Sequence, residues 1–319
     1  MKIKNVGVVG SGSMGSAIAE VMAFNGYQVT MRDVDDKALK RGMGRIEKVL
    51  DDLVAFHSGR SGKEVARLKK MGIELTTDQL ERLRSATAPE FTVEARDSVL
   101  SRITPTTSYS SLQESDLVIE AAFENMEVKK DIFSELSKVL CQDAVVASNT
   151  SSLSITRMAG SYSRPEKAII AHFFNPPYTL PLVEIVPGIS TSPETVESVT
   201  SFISGLKNHR GRMLPVRVKE VPGFVVNRIL VPMMNEAARM LDEGVAAADD
   251  IDAAMKAGAG MPMGPLELSD MVGLDIVKDV MDILYREYGD QKYAPSLLIN
   301  RLVSAGKLGR KTGEGFFRY

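Results

Sequence analysis

The chain has one cysteine, Cys141, and so cannot form an internal disulfide; at 319 residues it does not need one, because a chain this long buries most of its apolar surface without staples. A reducing compartment, the cytoplasm, is the expectation. Tryptophan is absent, and 11 Phe with 8 Tyr leave Leu, Ile, Val, Ala and 17 Met to fill the cores. Three widely separated histidines and one cysteine offer no spacing for a structural zinc site, so no metal is expected. Excess charge of either sign is also missing. With 39 Lys+Arg against 41 Asp+Glu, the balance provides no general polyanion-binding surface and excludes nucleic acid as an expected partner. No window holds the roughly 18 uninterrupted apolar residues of a spanning helix, so no membrane association is expected. The opening MKIKNVGVVGSGSMGSAIAEVM starts basic and turns apolar, but Lys4, Asn5 and Glu20 interrupt it. It reads as strand, loop and helix rather than as a targeting segment.

What is present divides the chain in two, the better prior for this length. Ile3 to Val9 is a branched apolar run that ends in GSGSMG, after which Ala17, Ile18, Val21 and Met22 recur at helical spacing. Tyr27 to Met31 then completes a strand-helix-strand unit of a parallel sheet. Further strands are expected at Leu117 to Glu120, Ala144 to Ala147, Ala168 to Ala171, Leu182 to Val186 and Val216 to Val218. Residues 36 to 100 are highly charged and read mostly as helices projecting from the second crossover. Lys219-Glu220-Val221-Pro222-Gly223 is the expected boundary, since Pro and Gly break the pattern before a long helical stretch. The expected architecture is α/β: residues 1–220 a Rossmann-type doubly wound sheet domain, and 221–319 an all-helical domain. In the latter, Val225 to Leu241 carries a wide apolar stripe with a kink position at Pro232. Further helices are expected at Asp249 to Ala257, Leu266 to Met271, Ile276 to Tyr288 and Ser296 to Ser304. Such a domain suits dimerisation, although an internal core explains the same apolar residues.

In Gly10-Ser11-Gly12-Ser13-Met14-Gly15 the first glycine permits a tight turn, the second lets backbone approach a pyrophosphate, and Gly15 allows close helix–sheet packing. The pattern gains weight from its place between a strand and a helix, and from Asp33 at the end of the second strand. An acid there accepts hydrogen bonds from an adenosine ribose and repels a 2′-phosphate, favouring NAD over NADP, with Arg32 beside it as the one dissonant residue. Gly10, Gly12, Met14, Gly15 and Asp33 are therefore the cofactor-binding candidates of this unit.

Two polar clusters follow successive strands: Ser148-Asn149-Thr150-Ser151-Ser152 and Ala171-His172-Phe173-Phe174-Asn175-Pro176-Pro177. Loops beyond the carboxyl ends of parallel strands face the ligand crevice. Glu184, twelve residues after His172, can approach that histidine, and a buried His beside a carboxylate is a base with a fixed tautomer. The other histidines, His57 and His209, sit in ordinary polar contexts.

Through GSGSMG, EAAFENMEVKK, SNTSSL, HFFNPP, PLVEI, PGFVVNR, AGMPMGPLELSDMVGLD and KLGRKTGEGF the chain resembles the L-3-hydroxyacyl-CoA dehydrogenase family, particularly its short-chain 3-hydroxybutyryl-CoA members. The resemblance implies that His172 removes the hydroxyl proton while hydride leaves the adjacent carbon, and that Glu184 orients the histidine. It implies substrate or nicotinamide contacts for Ser151 and Asn175, substrate support from Asn227, and a cofactor-side place for Glu124, Lys129 and Asn149. An acyl-CoA substrate would need local bases, for which Lys63, Arg67, Lys69 and Lys70 are candidates. The stretch NPPYTLPLVEIVP resembles that of relatives that oxidise small non-CoA hydroxy acids of the L-gulonate or carnitine type, whereas AGMPMGPLELSDMVGLD, in the substrate-side domain, is closer to the hydroxyacyl-CoA type and carries more weight. A non-CoA hydroxy acid is the enzymatic alternative, and a non-enzymatic NAD-binding protein is the alternative of another kind.

Overall fold

The computed structural model describes residues 3–319. The chain forms two compact units, Met1–Thr150 with Ile155–Arg217, and Ser151–Ser154 with Val218–Tyr319.

The first unit opens with β1 (Asn5–Val9), α1 (Ser13–Phe24) and β2 (Gln28–Arg32), the two strands parallel and in register from Asn5↔Gln28 to Val9↔Arg32. Four helices, α2 (Asp36–Ser58), α3 (Arg60–Lys70), α4 (Thr77–Ala86) and α5 (Val93–Leu100), separate β2 from β3 (Ile103–Thr106). Asp35 caps α2 by accepting from the Ala38 N–H, and the helix buries Leu39, Gly42, Ile46 and Leu50 as one stripe. Helices α3 and α4 bury no residue fully: Val65 and Leu68 of α3 and Leu80 and Leu83 of α4 are half-buried, and the charged residues cover the remaining faces.

The chain continues through β4 (Leu117–Glu120), α6 (Met126–Val139), β5 (Val145–Ser148), α7 (Ile155–Ala159), β6 (Ala168–Phe173), β7 (Leu182–Pro187) and α8 (Pro193–Gly205). The two-residue strands β8 (Lys207–Asn208) and β9 (Gly211–Arg212) make a small hairpin, and β10 (Leu214–Arg217) ends the unit. The main sheet has the order β10-β7-β6-β5-β4-β1-β2-β3. Its neighbours are parallel except β6 and β7, which run antiparallel. Every residue of β4, β5 and β6 is buried, as expected of inner strands in a sheet covered on both faces. The order reverses between β1 and β4, and a doubly wound sheet opens its ligand crevice at such a switch. This is the Rossmann-type fold.

Three strands escape the periodicity of the sequence. Ile103-Thr104-Pro105-Thr106 contains a proline, tolerated because β3 is the outermost strand and needs no further partner. Strands β8 and β9 are too short to carry a pattern.

The second unit contains α9 (Val226–Asp242), α10 (Ala248–Ala259), α11 (Pro265–Val272), α12 (Leu274–Tyr288) and α13 (Leu297–Ser304). Helix α9 runs through Pro232 as one continuous span. Val231, Met234, Ala238, Leu266, Val277, Met281 and Leu284 form its own core. Asp270 ties down the C-terminal segment, accepting from the N–H groups of Phe316 and Phe317 at 2.9 Å each and from the Tyr319 hydroxyl at 3.2 Å.

Candidate active site

His172 and Glu184 lie directly opposite each other across the antiparallel β6–β7 pair. In such a register opposed side chains share a face, and His172 Nδ1 sits 2.8 Å from Glu184 Oε2. The two side chains are 8% and 1% exposed. A carboxylate on Nδ1 fixes the tautomer and assigns proton exchange to the other ring nitrogen, Nε2. Phe174 packs on the imidazole with centroids 4.6 Å apart, and exposed Asn175 follows, joined to Pro176 by a cis peptide bond. Asn149, just past the end of β5, accepts the Phe173 N–H on Oδ1 at 2.8 Å and so braces the loop after β6.

The glycine turn lies at the end of β1. Gly10 has φ +104, and a Cβ there would lie 2.5 Å from the Ala121 carbonyl oxygen, so the turn passes close against the residue after β4. A Cβ on Gly15 would lie 1.8 Å from the Gly10 oxygen, whereas a Cβ on Gly12 would meet nothing within 4 Å. The first and third glycines thus serve the fold, and the second faces open space. Met14, in the first turn of α1, packs its side chain against the core. Helix α1 has no side-chain cap and no acidic residue in its first turn. Its N-terminal N–H groups therefore present partial positive charge to that space.

Asp33 accepts from the Ser11 N–H and hydroxyl, both at 2.6 Å, on Oδ2, and from the Val34 N–H at 2.7 Å on Oδ1. Partial burial pushes its carboxyl up, but these hydrogen bonds from Ser11 and Val34, with the charge of Arg32, prevail and hold it below the usual value of 3.8. Arg32 itself lies over the Tyr109 ring, 3.9 Å from its centroid, and donates to the Tyr109 hydroxyl at 3.2 Å. It is occupied away from a phosphate-binding role. An open second glycine, an uncapped helix N-terminus and an ionised acid after β2 fit the pyrophosphate and ribose of NAD.

A buried ionic cluster stands under the β4 and β5 ends. Lys129 on α6 is 1% exposed and donates to both oxygens of fully buried Glu120, at 2.7 and 2.9 Å. Ser148 donates to the same carboxylate at 2.5 Å. Lys129 also reaches Glu124 at 3.4 Å, and Thr150 donates to Glu124 at 2.5 Å. Exposed Glu124 is thereby held from below by a lysine that stays inside. The sequence pattern missed Glu120, because an acid closing an apolar strand looks like an ordinary strand end; Ser148 and Thr150 stood in the polar cluster at the end of β5, but without their acidic partners Glu120 and Glu124. Ser151 and Asn227 belong to the second unit, Ser151 in a bend and Asn227 in the first turn of α9. Among the described residues no group of His, Cys, Asp and Glu is arranged to hold a metal.

The family model of the 3-hydroxyacyl-CoA dehydrogenase NAD binding domain matches residues 5–86 and 64–221, and that of the 3-hydroxyacyl-CoA dehydrogenase C-terminal domain matches residues 223–319. The chain belongs to this family. A 3-hydroxybutyryl-CoA dehydrogenase of Bradyrhizobium diazoefficiens is 43% identical over 99% of this chain and 96% of its own. Another, of Clostridioides difficile, is 40% identical over 98% of both chains. The crystal structure of an (S)-3-hydroxybutyryl-CoA dehydrogenase from Ralstonia eutropha superposes with a TM-score of 0.83 at 40% identity, covering 100% of this chain and 99% of that one. The family's N-terminal domain is an NAD-binding one, and NAD is the cofactor that the glycine turn and Asp33 fit.

Proposed function

We propose that this member of the family interconverts an L-3-hydroxyacyl-CoA and the corresponding 3-oxoacyl-CoA with NAD, and that short-chain 3-hydroxybutyryl-CoA is its preferred substrate. The observation that carries the reading is the buried His172–Glu184 pair at 2.8 Å in a chain that matches the family along both halves. Oxidation of a secondary alcohol removes one proton and one hydride. His172 Nε2 takes the proton of the substrate hydroxyl, and Glu184 stabilises the imidazolium and holds its orientation. NAD, when bound, supplies the hydride acceptor. In the reverse direction His172 returns the proton to the oxygen of the ketone.

Asn175 and Ser151 contact the substrate oxygen or the nicotinamide, and Asn227 supports the substrate. Glu124 and Asn149 stand on the cofactor side, and Lys129 acts there through Glu124. Residues 1–220 serve as the NAD-binding domain and 221–319 as the substrate and dimerisation domain. Pairing of two copies through the helical domain is supported by its exposed Ile229, Leu297, Ile276 and Met271. Among the described residues no helix is long and apolar enough to cross a membrane, and the exposed thiol of Cys141 suits the reducing cytoplasm.

The test is NADH oxidation with acetoacetyl-CoA beside free acetoacetate and other non-CoA keto acids. Turnover of acetoacetyl-CoA is expected; turnover of a free keto acid alone would reverse the substrate assignment. His172→Ala is expected to lose turnover while keeping NADH affinity, and a wild-type rate would remove His172 from its role.

A further inference from the structure

The β8–β9 hairpin has no part in the mechanism above, yet it grips the loop that carries Asn175. Asn208 Nδ2 donates to the Pro177 carbonyl at 3.2 Å, and the His209 N–H donates to the Tyr178 carbonyl at 3.0 Å. The His209 ring stacks on Tyr178 with centroids 5.4 Å apart and 29° between planes, and packs against Phe24 of α1 at 5.2 Å. On its far side, His209 Nε2 lies 2.8 Å from Glu20 Oε1. The side chains of His209 and Glu20 are 9% and 1% exposed. The hairpin is anchored at its base by Asn25, which accepts from the Lys207 N–H at 2.8 Å and donates to its carbonyl at 2.7 Å.

Glu20 is a carboxylate in the apolar middle of α1, with neighbours Ala19, Val21, Met22 and Ala23 all buried. Its second oxygen is buried without a hydrogen-bond partner. A fold needing only a filled helix–sheet contact is served better by an apolar residue here. What the pair accomplishes is directional: it joins α1, whose N-terminus forms the glycine turn, to the loop three residues beyond His172. The same side chains, Glu20, Tyr178 and Asn175, line one cleft of about 280 Å³ with Ser13 and Ser16 from the start of α1.

We propose that His209 and Glu20 are positioning residues for the reaction, setting through Tyr178 and Pro177 the place of Asn175 beside the His172–Glu184 pair. The inference rests on the reading of Asn175 as a substrate or nicotinamide contact. An error of about 1 Å in such a group costs up to about a hundredfold in rate, so the pair acts on turnover rather than on NAD affinity.

The experiment measures kcat and KM for acetoacetyl-CoA reduction, NADH affinity and melting temperature. Its variants are His209→Phe, His209→Gln, Asn175→Ala and the double variant His209→Phe/Asn175→Ala. Phenylalanine keeps the stacking on Tyr178 but strands Glu20; glutamine keeps a donor toward Glu20. His209→Phe is expected to lower kcat about tenfold or more with NADH affinity unchanged, and His209→Gln to recover most of the loss. The double variant is expected to be no slower than Asn175→Ala, because both losses act through one contact. Multiplying losses, or a wild-type kcat for His209→Phe, overturns the inference and leaves the role of Asn175 standing. A wild-type kcat for Asn175→Ala overturns both. Should His209→Phe fail to fold, Asn208→Ala replaces it in the same cycle, with the same outcomes deciding.

Discussion

Replacing Glu184 with Gln isolates one electrostatic contribution, because the amide keeps the shape of the side chain and removes only its charge. The carboxylate is 1% exposed and 2.8 Å from His172 Nδ1, so it is shielded from water. In the proposed oxidation the imidazole becomes cationic as it takes the hydroxyl proton, and the separation between the two charge centres is then about 4 Å. At an effective dielectric constant of about 20, opposite charges at that distance interact by about 4 kcal/mol. The ground state, with a neutral ring, has little of this interaction, so nearly all of it acts on the transition state. Four kcal/mol corresponds to a loss of about a thousandfold, and partial charge development reduces this to about a hundredfold or more. The assay is steady-state NAD reduction with saturating L-3-hydroxybutyryl-CoA, the direction in which the neutral ring gains the proton, with NAD affinity measured separately. The expected result is a kcat lower by about two to three orders of magnitude, unchanged NAD affinity and a folded protein. A kcat within about threefold of wild type would refute the reasoning, since the buried pair would then have no charge-stabilising part in the reaction.

Gly15→Ala is expected to prevent folding or abolish NAD binding, because its Cβ would lie 1.8 Å from the Gly10 oxygen. Gly12→Ala, which meets nothing within 4 Å, should keep the melting temperature and lose NADH affinity by calorimetry. Asp33→Ala should weaken NAD binding and narrow the preference over NADP, read as the ratio of kcat/KM for the two reduced cofactors. The Asp33 carboxyl is held below 3.8 in the fold, so its contribution to stability is fully present above that pH and is lost only as pH falls through the lowered value. The difference in NAD affinity between wild type and Asp33→Ala is therefore expected to stay flat between about pH 5 and 8, and loss of that difference within the range would refute the assignment. Lys129→Met should cost about 3–5 kcal/mol by leaving the Glu120 carboxylate buried without its cation, measured by chemical denaturation.

The elements that carry the cofactor site were legible because their signals are local. A branched run ending at Val9, glycines at three fixed offsets and an acid after the next strand all lie within the first 33 residues. The helices of the second unit were legible through their apolar stripes, within a residue or two at each end. Strand β3 was not, because Pro105 is acceptable only on an outer strand, and position in a sheet cannot be read from four residues.

By itself the sequence determined the chemistry available to this protein: a nucleotide-binding turn, one histidine in a strand-end cluster, an acid twelve residues later and the family motifs around them. Only the tertiary structure decided which groups lie together. Antiparallel pairing of β6 with β7 places Glu184 directly opposite His172, and Lys129 turns inward to Glu120. His209, which in the sequence looked like an ordinary polar residue, stands 2.8 Å from Glu20, 189 positions away. The physical reason is that strand and helix patterns depend on neighbours in the chain, whereas the pairing of buried charges depends on register and sheet order. Burial makes those pairings obligatory, since a charge removed from water must find its partner wherever the fold has put it.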